Sequence, residues 1–557
     1  MKTLNSPKYA TPLAIFLAFF GIFYNGYQYA VQDHFVQIPI MLHMDNPALY
    51  PHDIVISQKA YLSFFWIGFG FLAHYFTPWV LAFVIYMIAS IFYFRILYSI
   101  GHKVIGSSTG GYIFVLLMFV PKPGLGYAMM SFDIWMSLKV ISTPLVLLGL
   151  YNTLEGNYQK SAAAVGISFY LHPISAVTSG FLIACTQFYL QRQKDFGDRI
   201  KQLLKTAGVF FILASYAIYD IVTLPNSSFS ATKQWLLIME LRSGSMLFPR
   251  EFYFWVWLIF ALYAILIYIC YRDMEKPYDE ILAVWLTGIV ILFAINYFFS
   301  QVIPTPFVMK IQLNRGLRFL PLISYLYVTK SLLKIDYKQK LNPRESFIAI
   351  SAIFSLFSEI AFIPVLILAL VYLIALWRNN IQKFEIDIQV WRTDKKKKRK
   401  FIGILILALL LHIIAGYGLN GVPFGDLDVR TSQKPEWVAT QTWVKDHTPI
   451  DAILITPPQI YGFRVYSQRT VVGEWRDGTL AFFNRTFGID WWQRMEDLGM
   501  NEKNYLTYNN NNYLALNFTV IALKYHASYF VTFTNNNLNL SLYNRVYENS
   551  VYSVYQT

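Results

Sequence analysis

Apolar runs recur along most of this chain, separated by short polar turns, from about residue 11 to about residue 417. A helix needs roughly 20 apolar residues to cross the hydrocarbon core of a bilayer. The pattern therefore predicts a mainly α-helical, polytopic membrane protein. If 346–377 forms a hairpin of two helices, about thirteen crossings are predicted, at residues 11–31, 79–98, 108–121, 137–154, 160–171, 174–190, 204–223, 252–271, 279–299, 317–333, 346–377 and 401–417.

The segment between the first two predicted spans is polar at first and then apolar. Residues 32–59 are predicted to form a loop on the outer face of the membrane. Residues 60–76 are apolar, but they contain His74 and precede Pro78, so we expect a helix that lies along the membrane surface. If this helix crossed the membrane, Arg95 would face outward, against the tendency of basic residues to stay on the cytoplasmic side.

Beyond residue 417 the pattern changes to short helices that alternate with strand-like stretches. The predicted helices lie at 436–446, 481–498 and 513–526, and the extended segments at 452–456, 469–473, 529–533 and 543–555. Such alternation predicts a small α/β domain. We therefore expect two domains, a membrane domain over residues 1–417 and a C-terminal domain over residues 418–557.

The composition supports the membrane assignment and explains the charge of the chain. Hydrophobic residues make up 56% of the 557 positions and charged residues only 14%, whereas soluble domains carry about 25% charged residues. The net charge of +14 is concentrated in predicted cytoplasmic turns, above all in the run 395–400. This is the positive-inside pattern of membrane proteins, so no nucleic-acid partner is expected. We expect a protein of the cytoplasmic membrane with its N-terminus inside and, after an odd number of crossings, its C-terminal domain outside.

The polar segment after the first predicted span carries the strongest candidates for chemistry. Asp33 and His34 follow the span directly, and His52 and Asp53 lie near the end of the loop. Ionisable groups held at a membrane often serve function. A carboxylate at position 33 is suited to accept a proton or to hold a divalent cation, and His34 to orient it or to contact phosphate. The alternative is that both residues cap helix ends.

A second acidic residue, Asp133, lies in the next predicted outer loop. If that loop folds over the first, Asp33 and Asp133 could share a divalent cation such as Mg or Mn, or divide the roles of base and metal ligand. The alternative is a solvated loop carboxylate. The three histidines of the 32–59 loop are nine residues apart, a spacing that matches no compact zinc motif.

Outer-face cations form a third group of candidates. Arg315 and Arg318 are three residues apart at the mouth of a predicted span, so they share a helix face. Arginine binds phosphate through its planar fork, and Arg242 in an earlier outer loop is a further candidate. The alternative is that these side chains merely extend toward the membrane interface. In the C-terminal domain, the stretches Phe463-Arg464, Ser467-Gln-Arg469 and Trp475-Arg476-Asp477 are expected to line an acceptor groove or to form a structural ion-pair network.

Together these features resemble the GT-C superfamily of polyprenyl-phosphate-sugar-dependent glycosyltransferases, which includes protein O-mannosyltransferases, the aminoarabinose transferase of lipid A and oligosaccharyltransferases. The resemblance lies in Asp33 after the first span, a long outer loop with a surface helix, and an outer C-terminal domain. The stretches 448–458 and 524–531 resemble the α/β tail of such proteins.

The resemblance implies inverting transfer of a sugar from a polyprenyl-phosphate donor to a glycan, lipid or protein acceptor at the outer face of the bilayer. Asp33 would act as general base with His34 assisting, and the substrate would be bound by Arg315, Arg318, Asp53, His52 and Arg242. The family often has a second acid after the first, where this chain has His34. Trp491-Trp492 is followed by Gln493, so the Trp-Trp-Asp motif of oligosaccharyltransferases is absent, which argues against protein N-glycosylation.

Two other classes of function remain open from the residues alone. A transporter or flippase of lipid-linked sugars predicts charged residues that face each other at the bilayer midplane and a repeat symmetry. A non-catalytic relative that serves in cell-envelope assembly needs no reactive Asp33. Neither alternative predicts that an Asp33→Asn substitution removes sugar transfer.

Overall fold

The computed structural model describes residues 7–58, 64–124, 130–223, 231–336, 340–357, 362–378, 427–534 and 543–557, with a few single positions between 386 and 410. The described part is mainly helical, as predicted, and ends in a small sheet. In chain order, the helices before the sheet are α1 (Ala10–Tyr24), α2 (His34–Asp45), α3 (Phe64–Ala73), α4 (Pro78–Ile105), α5 (Ser108–Leu117), α6 (Leu138–Leu154), α7 (Tyr158–Phe169), α8 (Pro173–Leu190), α9 (Phe196–Thr223), α10 (Lys233–Leu247), α11 (Phe254–Cys270), α12 (Tyr278–Tyr297), α13 (Pro306–Ile311), α14 (Leu320–Lys334), α15 (Pro343–Phe357) and α16 (Phe362–Trp377).

Six of the described helices are long and apolar enough to cross a membrane. Shorter apolar helices, among them α5 and α6, pack between them. The predicted hairpin over 346–377 is represented by α15 and α16. The predicted last span, 401–417, lies almost wholly outside the described residues. The chain is thus a multi-pass membrane protein, and the number of thirteen crossings stays a prediction.

The first helix ends earlier than its hydrophobic pattern predicts. We expected a span up to Val31, but α1 ends at Tyr24. Gly26 follows with a positive φ of 93°, a backbone conformation that glycine adopts without strain and that stops a helix. The chain then forms the short strand β1 (Tyr27–Gln28). Asp33 is therefore separated from α1 by eight residues, and the prediction that it follows the span directly is wrong.

The predicted 32–59 loop is also wrong in part, because α2 occupies residues 34–45. Its apolar residues pack into two different hydrophobic cores. Val36 and Ile40 pack into the core of the C-terminal domain, whereas Ile38 and Met41 pack into the core of the membrane helices. A helix that is apolar on every side is stable only when it is buried between other elements. The next helix, α3, is ten residues long, which is too short to span a bilayer. A position of the 60–76 segment along the membrane surface stays a prediction.

The C-terminal part forms a five-stranded mixed sheet, as the alternating pattern predicts. The short strands β2 (Lys340–Leu341), β3 (Ile386–Asp387) and β4 (Leu427–Asp428) precede it. The strands of the sheet are β5 (Ile453–Ile455), β6 (Thr470–Val471), β7 (Tyr529–Phe533), β8 (Asn544–Glu548) and β9 (Tyr552–Gln556), and the helices are α17 (Pro435–His447), α18 (Phe463–Ser467), α19 (Arg485–Asp497), α20 (Asn510–Leu514) and α21 (Phe518–Tyr525). The strand order is β6-β5-β7-β9-β8. Strand β5 pairs in parallel with β6 and β7, whereas β9 pairs antiparallel with β7 and β8.

The C-terminal domain is joined to the membrane helices through α2 and α10. The Trp235 indole on α10 donates to the Ala481 carbonyl at 2.9 Å, and Tyr50, after α2, donates to the Arg464 carbonyl at 2.8 Å. Strand β1 pairs in parallel with β4 (Leu427–Asp428), just before the domain begins. These contacts hold the segment that carries Asp33 between the two parts of the molecule.

Candidate functional site

Asp33 lies at the junction of the two parts of the molecule, directly before α2. Its side chain makes no capping hydrogen bond to the helix backbone. Instead, the carboxylate accepts a short hydrogen bond from the Arg476 guanidinium on the 3₁₀ helix Trp475–Phe482 of the C-terminal domain. The Asp33 side chain is 35% exposed and that of Arg476 20%. Asp33 is therefore an ion-paired yet accessible carboxylate.

His34 is fully buried, and both of its ring nitrogens have partners. Nδ1 accepts from the Ala30 N–H at 3.1 Å, and Nε2 donates to the Met136 carbonyl at 2.6 Å. Burial lowers the pKa of His34 to about 4, against smaller opposing effects of the Met136 carbonyl and the Asp33 carboxylate. In this arrangement His34 holds the start of α2 against the segment around residue 136.

The buried neutral His34 predicts a stability that depends on pH. Its pKa is lower in the folded than in the unfolded chain, so the unfolded state binds more protons, and stability falls as pH drops from 6.5 toward 4. At pH 5 the expected loss is about 2 kcal/mol. Thermal unfolding of the wild type and of a His34→Gln variant at pH 7 and pH 5 checks this. The variant lacks the titrating group, so its stability is expected to depend less on pH. Equal pH dependence in both proteins would contradict it.

A second group of polar side chains surrounds Asp133. The Asp133 carboxylate accepts from Lys139 at 2.5 Å and from the Ser137 hydroxyl at 3.0 Å. Asp133 and Lys139 are both buried. Ser137 also caps α6 by accepting from the Val140 N–H, so the start of this helix fixes the ion pair.

The same group includes the two arginines predicted from the sequence. Arg318 is buried and donates to the Ser175 hydroxyl at 2.5 Å and to the Thr143 hydroxyl at 2.9 Å. The Ser175 hydroxyl also lies 2.7 Å from Nδ1 of His172. Arg315 is close enough to Lys139, His172 and Arg318 to act on them electrostatically. We call Lys139, Arg315 and Arg318 the cation cluster.

Asp53, predicted to bind substrate, instead belongs to a buried ion-pair network. Its carboxylate accepts from Arg464 at 2.6 Å, and Arg464 also forms a bidentate pair with Asp477 at 3.0 and 2.9 Å. Glu474 lies 3.6 Å from the guanidinium, and all four side chains are fully buried. Burial raises the pKa values of Glu474 and Asp477, whereas the Arg464 charge opposes this rise. We call these four residues the Arg464 network.

The two remaining predicted substrate residues have different surroundings. His52 is exposed on a turn next to Asp53. Arg242, on α10, donates to the Trp475 carbonyl at 3.1 Å and to the Thr479 hydroxyl at 2.9 Å. Through these hydrogen bonds, Arg242 stabilises the 3₁₀ helix that carries Arg476.

The two predicted outer loops meet, as a shared metal site requires, but within the described residues the two carboxylates share no partner. His34 donates to the Met136 carbonyl at 2.6 Å, yet Asp33 pairs with Arg476 and Asp133 with Lys139. Across the described ranges, no three acidic, histidine or cysteine side chains group closely enough to hold a metal ion. The described donors therefore do not fit a metal shared by Asp33 and Asp133.

Sequence reasoning missed Lys139 as a member of the site, and it assigned Arg476 to an acceptor groove or a structural network without its partner Asp33. Lys139 had a local signal, because it is a basic residue at the start of an apolar run and lies six positions after Asp133. The pairing of Arg476 with Asp33 had none, because the two residues are 443 positions apart.

Comparison with known proteins adds one family model. A domain of unknown function, DUF6798, matches residues 435–498. This segment contains Arg464, Glu474, Arg476 and Asp477. No curated protein matches the chain.

Solved structures are similar over nearly the whole chain. ArnT from Cupriavidus metallidurans bound to undecaprenyl phosphate is 12% identical, with a TM-score of 0.47, and the alignment covers 98% of this chain and 96% of that one. Its apo form gives 11% identity and a TM-score of 0.43 over the same shares. The Archaeoglobus fulgidus oligosaccharyltransferase in complex with Zn and sulfate gives 11% identity and a TM-score of 0.40, over 94% of this chain and 68% of that one.

At these identities and scores, the similarity concerns the overall course of the chain and assigns no residue a role.

Proposed function

We propose that the protein is a membrane glycosyltransferase. It transfers a sugar from a polyprenyl-phosphate donor to an acceptor at the outer face of the membrane. The observation that carries this proposal is the cation cluster, in which two buried cations, Lys139 and Arg318, both face Asp133, the one carboxylate seen beside them in the described part of the chain, and Arg315 lies close to both cations.

Excess positive charge among buried side chains is costly unless an anion neutralises it. Arg318 and Lys139 are buried beside apolar helices, so the anion that fits best is a phosphate attached to an apolar chain. Arginine and lysine form short, charge-assisted hydrogen bonds to phosphate oxygens. A polyprenyl phosphate provides both the phosphate and a chain that extends into the bilayer.

One hydrogen bond connects the residue next to Asp33 with the segment that leads to the cation cluster. His34, next to Asp33, donates to the Met136 carbonyl at 2.6 Å. Met136 lies between Asp133 and Lys139 in the chain. The start of α2 is thus anchored to the segment that leads to Lys139, one of the cations proposed to face the phosphate.

In the proposed reaction, an acceptor hydroxyl attacks C1 of the sugar from the side opposite the phosphate. The new C–O bond forms as the bond between C1 and the phosphate oxygen breaks, and the electron pair of that bond leaves with the polyprenyl phosphate. Asp33 accepts the hydroxyl proton. A further negative charge develops on the phosphate, and Lys139, Arg315 and Arg318 stabilise it. His34 serves as a positioning residue, since both of its nitrogens are hydrogen-bonded.

Mass spectrometry of glycolipids and glycans from cells with and without the protein tests this function and identifies the acceptor. We expect one glycan or lipid to lose a single sugar in the deletion strain and to regain it when the wild-type gene is restored. Unchanged profiles in the deletion strain would contradict the proposal.

A substitution at Arg315 tests the role of the cation cluster. Arg315→Gln removes one positive charge, and a hydrogen bond to a charged group contributes about 1.5–3 kcal/mol. We therefore expect the KM for the polyprenyl-phosphate donor to rise roughly 10- to 100-fold, measured as initial rates of sugar transfer at varied donor concentration.

Arg250→Gln is the matched control for this substitution. Arg250 lies in another predicted outer loop, but it is paired with Glu240 and Glu251 and is not part of the cation cluster. We expect its KM for the donor to match that of the wild type. Equal donor KM values in Arg315→Gln and Arg250→Gln would refute phosphate binding by the cluster.

A further inference from the structure

The contact between Asp33 and Arg476 leaves one carboxylate oxygen of Asp33 open. Arg476 donates to Oδ1. Oδ2 has no hydrogen bond to any residue in the described part of the chain, and the side chain is partly exposed. One oxygen is therefore held by the C-terminal domain, while the other is accessible to a molecule that approaches from solvent.

Arg476 is held in place by its neighbours on both sides. Glu474 and Asp477 belong to the buried Arg464 network, and the Glu474 N–H donates to the Asp477 carboxylate at 2.9 Å. The Trp475 carbonyl accepts from Arg242 of α10. Because the residues around Arg476 are bound to buried partners, the backbone that carries its side chain has little freedom to move.

The anchoring partners come from different parts of the molecule. Asp53 follows α2, Arg242 lies on α10, and both bind the C-terminal domain. The 3₁₀ helix that carries Arg476 is thus fixed against α10 and, through Arg464, against the segment after α2, the helix that Asp33 directly precedes.

The geometry points to Arg476 as a positioning residue of the transfer reaction. It is supplied by the C-terminal domain and holds Oδ1 of Asp33, so that Oδ2 faces the acceptor hydroxyl. This inference rests on the proposed function. It makes the C-terminal domain a part of the active site, which accounts for the attachment of the domain to α2 and α10.

The inference separates the effect on kcat from the effect on donor binding. Arg476 acts on the proton acceptor and has no contact with the cation cluster in the described structure, so its loss is expected to lower kcat and to leave the donor KM unchanged. A misplaced catalytic group reduces rates by about 100-fold, and we expect a decrease of roughly 10- to 100-fold for Arg476→Ala. Arg476→Lys retains a donor and a positive charge and is expected to recover part of the rate, although a lysine lacks the planar fork.

The experiment measures kcat and donor KM for wild type, Arg476→Ala, Arg476→Lys and a control, Arg545→Ala. Arg545 is an exposed arginine of the same domain, on β8, and pairs only locally with Glu548 in the described structure. Thermal unfolding is measured for each protein, to show that Arg476→Ala remains folded. The expected result is a lowered kcat in Arg476→Ala alone, with partial recovery in Arg476→Lys.

The outcomes distinguish this inference from the proposed function. If the wild type transfers sugar, Asp33→Asn does not, and Arg476→Ala retains the wild-type kcat, the positioning role of Arg476 is refuted and the function stands. A raised donor KM with unchanged kcat in Arg476→Ala would also refute it. If the wild type transfers no sugar from any polyprenyl-phosphate donor, the proposed function itself fails.

Discussion

Replacing Asp33 with asparagine is expected to reduce sugar transfer by about 10²- to 10⁴-fold, the usual contribution of a general base. Asparagine has nearly the same shape as aspartate, and its carbonyl oxygen can still accept the hydrogen bond from Arg476, but it cannot take the acceptor proton. The donor KM is expected to stay close to that of the wild type, because the phosphate is bound by other residues. Initial rates with a polyprenyl-phosphate donor measure both constants.

Asp45→Asn provides the matched control for this substitution. Asp45 is the last residue of α2, and its partner is His74. It carries the same carboxylate group at the other end of α2, but it has no contact with Arg476 or the cation cluster in the described residues. We expect the Asp45→Asn protein to transfer sugar at the wild-type rate. If Asp33→Asn and Asp45→Asn are equally active, Asp33 is not the base.

Replacing Arg464 with methionine is expected to have the largest effect on stability. Methionine fills a similar volume, but it leaves Asp53, Glu474 and Asp477 fully buried without a compensating cation. Removing one partner of a buried ion pair costs about 3–5 kcal/mol. We expect a large drop in the thermal unfolding temperature and faster proteolytic release of the C-terminal domain, since Asp53 links that domain to the segment after α2.

Two further variants separate this effect from general damage. Arg545→Met removes an exposed arginine of the same domain and is expected to unfold like the wild type. Asp53→Asn removes one of three carboxylates that face a single guanidinium and retains an acceptor oxygen, so we expect a smaller loss than in Arg464→Met. If Arg464→Met unfolds at the temperature of Arg545→Met, the network does not hold the domain in place.

Much of the fold could be predicted because hydrophobic runs and strand patterns are local signals. Apart from α10 and α13, which were not predicted, the helices from α4 to α16 and the strands β5, β6 and β7 lie close to their predicted positions. The end of α1 was missed because hydrophobicity continues beyond Tyr24, whereas the turn at Gly26 depends on backbone conformation. Helix α2 was missed because it is stabilised by contacts on both of its sides with distant parts of the chain, which the local sequence does not indicate.

The candidate site could be predicted only in part, for a related reason. Asp33, Asp133 and Arg318 were found because charged residues stand out beside apolar runs. The pairing of Asp33 with Arg476 and that of Asp53 with Arg464 could not be predicted, because each joins residues that are more than 400 positions apart. Such pairs arise from the packing of two domains and leave no periodic trace in the chain. The expected roles of Arg464 and Asp477 in a structural ion-pair network agree with the observed contacts.

The most direct test of the central claim uses the purified protein in lipid vesicles with a pool of polyprenyl-phosphate-linked sugars and an extract of envelope glycolipids as acceptors. Mass spectrometry then follows both products. Glycosyl transfer predicts that the wild type releases polyprenyl phosphate in equal amount to the sugar gained by one acceptor, with inversion at C1, and that Asp33→Asn releases neither product. Movement of the donor across the vesicle membrane without loss of its sugar, or equal turnover by Asp33→Asn, would contradict the account.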